Sequence, residues 1–110
     1  MKIKSKIWIE SEDGILLSEG RVQLLKKIDE TGSLNKASKV LNISYQKAWR
    51  LIDDVSKTTK KPVIETKIGG AKGGGTILTP YGKSLITIFE TINKDCWKFL
   101  DEQLKKHDLC

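Results

Sequence analysis

A group of hydrogen-bonding side chains lies close together near the middle of the sequence. Glutamine and arginine can each form paired hydrogen bonds with the edges of adenine or guanine, and serine, tyrosine and lysine can contact phosphate oxygens. Such side chains recognise DNA when they project from the exposed face of one helix. The candidate DNA-contacting residues of this stretch are Ser44, Tyr45, Gln46, Lys47 and Arg50.

The sequence around these residues predicts two short helices with a tight turn between them, over about residues 33–58. Ser33 and Ser44 have side-chain oxygens that cap helix starts, and Asn42 tolerates the left-handed conformation that closes a first helix. In the second helix, apolar residues at i, i+3, i+4 and i+7 predict one buried stripe, made of Ala48, Leu51, Ile52 and Val55. This pattern is typical of a helix-turn-helix, although an ordinary helical hairpin would show it too.

Two further apolar features of this region are expected to face the core. In the first helix the apolar residues follow one another at helical spacing. Trp49 of the second helix lies beside the stripe that contains Ala48 and Ile52, so we expect it to pack rather than to contact a base. The apolar residues of the first helix are Leu34, Ala37, Val40 and Leu41.

The residues after the second helix predict a β-hairpin over about residues 63–79. Pro62 blocks continuation of the helix, and two β-prone runs follow, separated by a glycine-rich segment. A nucleotide-binding loop is a poor alternative, because the G-x-x-x-x-G-K-[ST] spacing is absent and a strand follows the glycines instead of a helix. A hairpin directly after a helix-turn-helix is a wing, and Lys67 and Lys72 on it are expected to reach phosphate or the minor groove.

The N-terminal part of the chain predicts a second hairpin and a third helix. Residues 3–17 alternate apolar and polar side chains, with Asp13-Gly14 as the turn. A helix is expected to begin near Ser18 to Gly20 and to run to Thr31, where Gly32 ends it. This helix supplies the apolar surface that a two-helix unit lacks.

A long helix is predicted over residues 80–106, with Thr79 as its cap and Pro80 in its first turn. Leu85, Ile86 and Phe89 in its first half suit the core of the chain itself. The second half presents more apolar surface than so small a core can cover, which favours a homodimer. The residues expected at the dimer interface are Cys96, Trp97, Phe99, Leu100 and Leu104.

The composition fits one domain, spanning residues 1–110, with a partner of opposite charge. The net charge is +6 and the pI is near 9.3, and basic residues outnumber acidic ones between Arg21 and Lys61. No apolar run is long enough to cross a bilayer and no signal peptide is recognisable, so we expect a cytoplasmic protein without a membrane partner. Cys96, Cys110 and His107 have no metal-ligand spacing, so we expect structural thiols, no metal site and no cofactor.

Several stretches resemble a known family. The runs L-L-K-K-I-D-E-T-G-S-L at 24–34, I-S-Y-Q-K-A-W at 43–49, G-G-A-K-G-G-G-T-I-L-T at 69–79 and Y-G-K-S-L at 81–85 are similar to the N-terminal DNA-binding domain of the molybdate-responsive ModE-type regulators. The likeness to the winged helix-turn-helix of LysR-type regulators is more distant. The resemblance implies a winged helix on a homodimer that binds a palindromic operator. It also implies a separate molybdate-binding region, and we predict no molybdate site in residues 1–110.

The sequence therefore predicts an α+β winged helix-turn-helix with an N-terminal β-hairpin and a long C-terminal dimerisation helix. The function we expect is sequence-specific binding of double-stranded DNA by a transcription regulator. An alternative is a protein-interaction module that uses the winged helix as a scaffold and the long helix as the docking element. An enzyme is disfavoured, because no His, Cys or carboxylate set forms a plausible catalytic constellation.

Overall fold

The computed structural model describes residues 1–67 and 75–109, and its architecture is α+β. Within these residues the strands form two separate antiparallel hairpins, one before the helices and one between the third and fourth helices. The elements are, in chain order, β1 (Trp8–Ser11), β2 (Gly14–Ser18), α1 (Glu19–Thr31), α2 (Leu34–Val40), α3 (Tyr45–Thr59), β3 (Ile64–Lys67), β4 (Gly75–Leu78) and α4 (Pro80–Lys106). This is the predicted winged helix-turn-helix.

The ends of the helices follow local backbone chemistry, and the predicted caps are confirmed. Ser33, Ser44 and Thr79 accept hydrogen bonds from backbone N–H groups in the first turns of α2, α3 and α4. Gly32 ends α1 with a φ of 69°, and Asn42 adopts a φ of 57° in the turn between α2 and α3. Both residues lie in the left-handed region that glycine and asparagine tolerate best.

The N-terminal hairpin is shorter than the sequence suggested. Trp8 pairs with Ser18, and α1 begins at the next residue, so residues 3–7 have no strand beside them with which to pair. Instead, this segment runs next to α4, where the Ser5 hydroxyl and the Cys96 thiol lie 3.8 Å apart. The alternation of apolar residues before Trp8 is therefore not evidence of a strand.

The hydrophobic core surrounds α1, whose buried face contacts the helix-turn-helix, the wing and α4. Val40 is an exception to the predicted pattern, because its side chain is 59% exposed. Helix α2 ends at Val40, and Leu41 and Ile43 of the following turn pack against the core in its place. The helix residues of the hydrophobic core cluster are Val22, Leu24, Leu25, Ile28, Leu34, Ala37, Ala48, Ile52, Val55, Leu85 and Phe89.

Backbone contacts attach the wing hairpin to the rest of the fold. The Thr76 N–H donates to the Gly32 carbonyl oxygen at 2.9 Å, and the Thr79 N–H donates to the Val63 carbonyl oxygen at 3.0 Å. The Thr79 hydroxyl donates to the Pro62 carbonyl oxygen at 2.8 Å. At Gly82 the first turn of α4 approaches Val63 so closely that a Cβ would clash with the Val63 carbonyl oxygen. These contacts fix the base of the wing relative to α1 and α4.

Helix α4 divides into an inner and an outer half. Leu85 and Phe89 of the first half are buried in the core, and Glu90 accepts a hydrogen bond from Lys26 of α1 at 3.0 Å. Beyond Glu90, Ile92 and Phe99 are exposed. None of the helices within residues 1–67 and 75–109 is long and apolar enough to span a membrane.

Candidate nucleic-acid interface

Helix α3 has one face in the core and the opposite face in solvent. Ala48, Ile52 and Val55 are buried, and Leu51 is partly buried. With 3.6 residues per turn, Gln46 and Arg50 then fall on the outward side. The structure exposes all the predicted residues of this helix and its cap, namely Ser44, Tyr45, Gln46, Lys47 and Arg50.

The acidic residues that follow Arg50 in the helix are paired with other cations. Asp53 bonds to Lys57 at 2.9 Å, and Asp54 lies 3.8 Å from the guanidinium of Arg21. The hydrogen bond with Asp53, reinforced by the negative charge of that carboxylate, raises the pKa of the Lys57 ammonium. Among the residues that the structure describes, no ion pair involves Arg50. Its guanidinium is therefore free to bind an external hydrogen-bond acceptor.

Ser44 has a structural role as well as an exposed position. Its hydroxyl oxygen accepts a hydrogen bond from the Lys47 N–H at 3.0 Å, which caps α3. A serine hydroxyl has one donor hydrogen besides its acceptor lone pairs. The Ser44 O–H can therefore still donate to a phosphate oxygen while the cap is formed.

Trp49 does not pack into the core, and the sequence-based expectation for it was wrong. Its side chain is 48% exposed, and it lines a shallow recess of about 280 Å³ together with Gln46, Arg50 and Asp53. Ala48 and Ile52 already fill the contact between α3 and the core. The buried stripe is too narrow to include the neighbouring side chain of Trp49 as well. Trp49 is thus part of the outward face that contains Gln46 and Arg50.

The start of α3 and the wing border a common groove. Tyr45, which is 50% exposed, lines it from the helix, and Thr66 and Lys67 line it from β3. The groove has a volume of about 280 Å³. Lys67 is exposed at the end of β3, so the structure brings this predicted wing residue close to the start of α3. Lys72, the other predicted wing residue, lies outside the described residues.

The residues predicted for dimerisation differ in their exposure. Trp97 and Phe99 are 50% and 56% exposed, Cys96 and Leu100 are partly buried, and Leu104 is only 6% exposed within the single chain. The buried position of Leu104 leaves it little apolar surface to offer to a partner.

Sequence reasoning overlooked an exposed stripe on α4. Ile88 and Ile92 are 47% and 46% exposed, and with Phe99 they follow the spacing i, i+4, i+11 along one side of the helix. Leu85 and Phe89, by contrast, are buried, as the sequence predicted for the first half of the helix. The isoleucine at i+4 from Ile88 was the signal that could have revealed this stripe.

Comparison with known proteins gives relatives by sequence, although no protein-family model matches the chain. The chain is 33% identical over 97 residues to the molybdenum transport protein ModE of Azotobacter vinelandii, which covers 88% of this chain and 36% of that protein. It is 34% identical over 86 residues to the transcriptional regulator ModE of Haemophilus influenzae, which covers 78% of this chain and 34% of that protein. The chain therefore spans about a third of the length of these relatives.

Solved structures share the fold of this chain, and two of them are described as complexes of DNA-binding domains with DNA. The DNA-binding domain of CbnR in complex with DNA matches with a TM-score of 0.59 at 15% identity, over 83% of this chain and 99% of that one. A mutant of MepR from Staphylococcus aureus matches with a TM-score of 0.63 at 16% identity, over 84% of this chain and 68% of that one. At these identities the likeness establishes the winged-helix fold.

Proposed function

Because this chain corresponds to the N-terminal DNA-binding part of the ModE-type transcription regulators, we propose that it binds double-stranded DNA sequence-specifically and regulates transcription. The observation that carries the proposal is the outward face of α3. Gln46, Lys47 and Arg50 are exposed there, and Arg50 has no ion pair among the described residues. A helix with free hydrogen-bonding side chains on its first turns suits the major groove of DNA.

Each proposed contact follows from the chemistry of its side chain. Gln46 and Arg50 read base edges, because an amide pairs with adenine and a guanidinium pairs with guanine. Ser44, Tyr45 and Lys47, at the start of α3, bind phosphate oxygens. On the wing, Lys67 and Lys72 contact the DNA backbone next to the site read by α3. These seven residues are the proposed DNA-binding set.

A homodimer is the proposed assembly, and α4 is the element that forms it. Ile92, Trp97 and Phe99 leave apolar side chains in solvent on the outer half of this helix. A two-fold pair of such helices buries the side that contains Ile92 and Phe99, and Trp97, two residues from Phe99, lies on the other side of the helix. Cys96 and Leu100 would contribute the parts of their side chains that remain exposed. The same symmetry places two copies of α3 on one face of the duplex, which favours a palindromic operator.

The proposed function also implies a cellular location for the protein. The relatives come from bacteria, in which chromosomal DNA lies in the cytoplasm, so this function places the chain there. A DNA-binding role needs no catalytic group, and we assign neither enzymatic activity nor molybdate binding to residues 1–110.

Selection of bound fragments from a random duplex library tests the function directly. The expected result is enrichment of one palindromic motif, whose two halves lie about one helical turn or a multiple of it apart. Binding to this motif should weaken steeply with salt, because the contacting lysines and arginine release counterions from DNA. Recovery of no motif, with the same weak affinity for all duplexes, would instead favour the protein-interaction module.

A further inference from the structure

Trp49 is a large apolar residue whose side chain is half-exposed on the outward face of α3. Single exposed hydrophobic residues are common on protein surfaces. Here, however, Tyr45 and Trp49 lie one helical turn apart and are 50% and 48% exposed, so they form one aromatic ridge along α3. The ridge borders Gln46 and Arg50, the two residues proposed to read bases.

The surroundings of Trp49 argue against a phosphate contact. Two charged residues line the recess with Trp49: Arg50, which is proposed to read a base, and Asp53, whose carboxylate bonds to Lys57 at 2.9 Å. A carboxylate repels phosphate, and its pairing with Lys57 cancels most of the attraction that this lysine would offer. Trp49 thus shares its recess with Gln46 and Arg50, the two side chains proposed to read base edges.

The major groove contains one apolar group that a protein can read, the C5-methyl group of thymine. We propose that Trp49 is a specificity-determining residue that packs against the methyl group of a thymine in the DNA half-site. This inference rests on the proposed DNA-binding function and adds a base preference to it. Gln46 precedes Trp49 by three residues and favours adenine, so the two side chains together select A·T pairs next to the guanine read by Arg50.

Removal of the methyl group from the DNA tests the inference without a change in the protein. Each thymine of the selected duplex is replaced in turn by deoxyuridine, and binding is measured at fixed salt. Replacement of the thymine that Trp49 contacts should weaken binding about fourfold, the value of one buried methyl or methylene group. Trp49→Ala should bind the two duplexes equally, and Trp49→Phe, which retains an apolar ring, should keep a preference for thymine.

Trp8→Ala is the matched control, because Trp8 is 50% exposed but lies on the N-terminal hairpin. It should retain the full preference for thymine over deoxyuridine. A thymine preference in Trp49→Ala as large as in the unchanged chain would overturn the inference while leaving the proposed function intact. An unchanged chain that selects no duplex sequence would instead refute the proposed function, and the inference with it.

A fluorescence measurement reports on Trp49 even if Trp49→Ala loses stability. The double variant Trp8→Phe, Trp97→Phe leaves Trp49 as the only tryptophan. Operator DNA should then protect the indole fluorescence from quenching by acrylamide, which is uncharged and is not repelled by DNA. Equal quenching with and without saturating operator would place Trp49 outside the interface and overturn the inference.

Discussion

Replacement of Phe99 by glutamate should separate the proposed homodimer. A phenylalanine side chain buries roughly 150–250 Å² in a fully packed site, and Phe99 is 56% exposed in the single chain. Roughly 100 Å² is thus available for burial, which at about 25 cal/mol per Å² contributes about 2.5 kcal/mol per protomer. Two symmetry-related copies would lose about 5 kcal/mol, so the dissociation constant of the dimer should rise by about 10³- to 10⁴-fold.

Sedimentation equilibrium at micromolar concentration measures this change. The unchanged chain should sediment as a dimer and Phe99→Glu as a monomer with an unaltered circular dichroism spectrum. Val40→Glu is the matched control, because Val40 is 59% exposed on α2 and should leave the dimer intact. Operator binding by Phe99→Glu should fall by ~10²-fold or more through the loss of two linked half-sites. A monomeric unchanged chain, or a dimeric Phe99→Glu, would refute the reasoning.

Other substitutions test the binding face and the packing of the wing. Arg50→Ala should reduce the free energy of operator binding by about 1–3 kcal/mol and relax the base preference at one operator position. Lys72→Ala should instead weaken binding to all sequences alike and reduce the salt dependence of the binding affinity by about one unit of slope. Equal losses of affinity for operator and random DNA would remove Arg50 from the base-reading set. Gly82→Ala should destabilise the fold by about 1–3 kcal/mol in urea unfolding, because its Cβ meets the Val63 backbone. Gly20→Ala, whose Cβ meets nothing in α1, should instead stabilise by about 0.5 kcal/mol, and equal stability of the two variants would contradict the close approach at Gly82.

The features predicted correctly from the sequence are those that depend on a few neighbouring residues. Ser33, Ser44 and Thr79 cap their helices because a side-chain oxygen meets N–H groups only two or three residues away. Gly32 ends α1 because the backbone there is left-handed. Such local chemistry determined the bounds of α4 and the order of the elements without knowledge of the packing.

The features that were missed depend on residues distant in sequence. Residues 3–7 alternate like a strand, but the start of α1 after Ser18 removes the partner that a strand would need. Trp49 and Val40 lie at the margins of amphipathic helices, where the spacing of apolar residues alone does not determine which side chains the core can cover. Their exposure is set by the width of the contacts that α2 and α3 make with α1.

The candidate site, like the fold, was predictable from the sequence only in part. Helical periodicity was enough to place Gln46 and Arg50 on the outward face of α3. The pairing of Asp53 with Lys57, which leaves Arg50 free, depends on side-chain rotamers that periodicity does not specify. The exposed stripe of Ile88, Ile92 and Phe99 could not be predicted without knowing which side of α4 packs against the core.

The continuity of α4 has a mechanical consequence. Beyond Gly82 the helix contains neither glycine nor proline, so it acts as a stiff lever about 40 Å long for its 27 residues. Its first turn is fixed to the wing by Thr79. If two such levers cross near Phe99, the arm from the crossing to Pro80 is about 29 Å, so a change of about 10° in the crossing angle displaces that end by roughly 5 Å, which is about one and a half base-pair steps along DNA. The angle at which the two helices meet would therefore set the operator spacing that the pair can span.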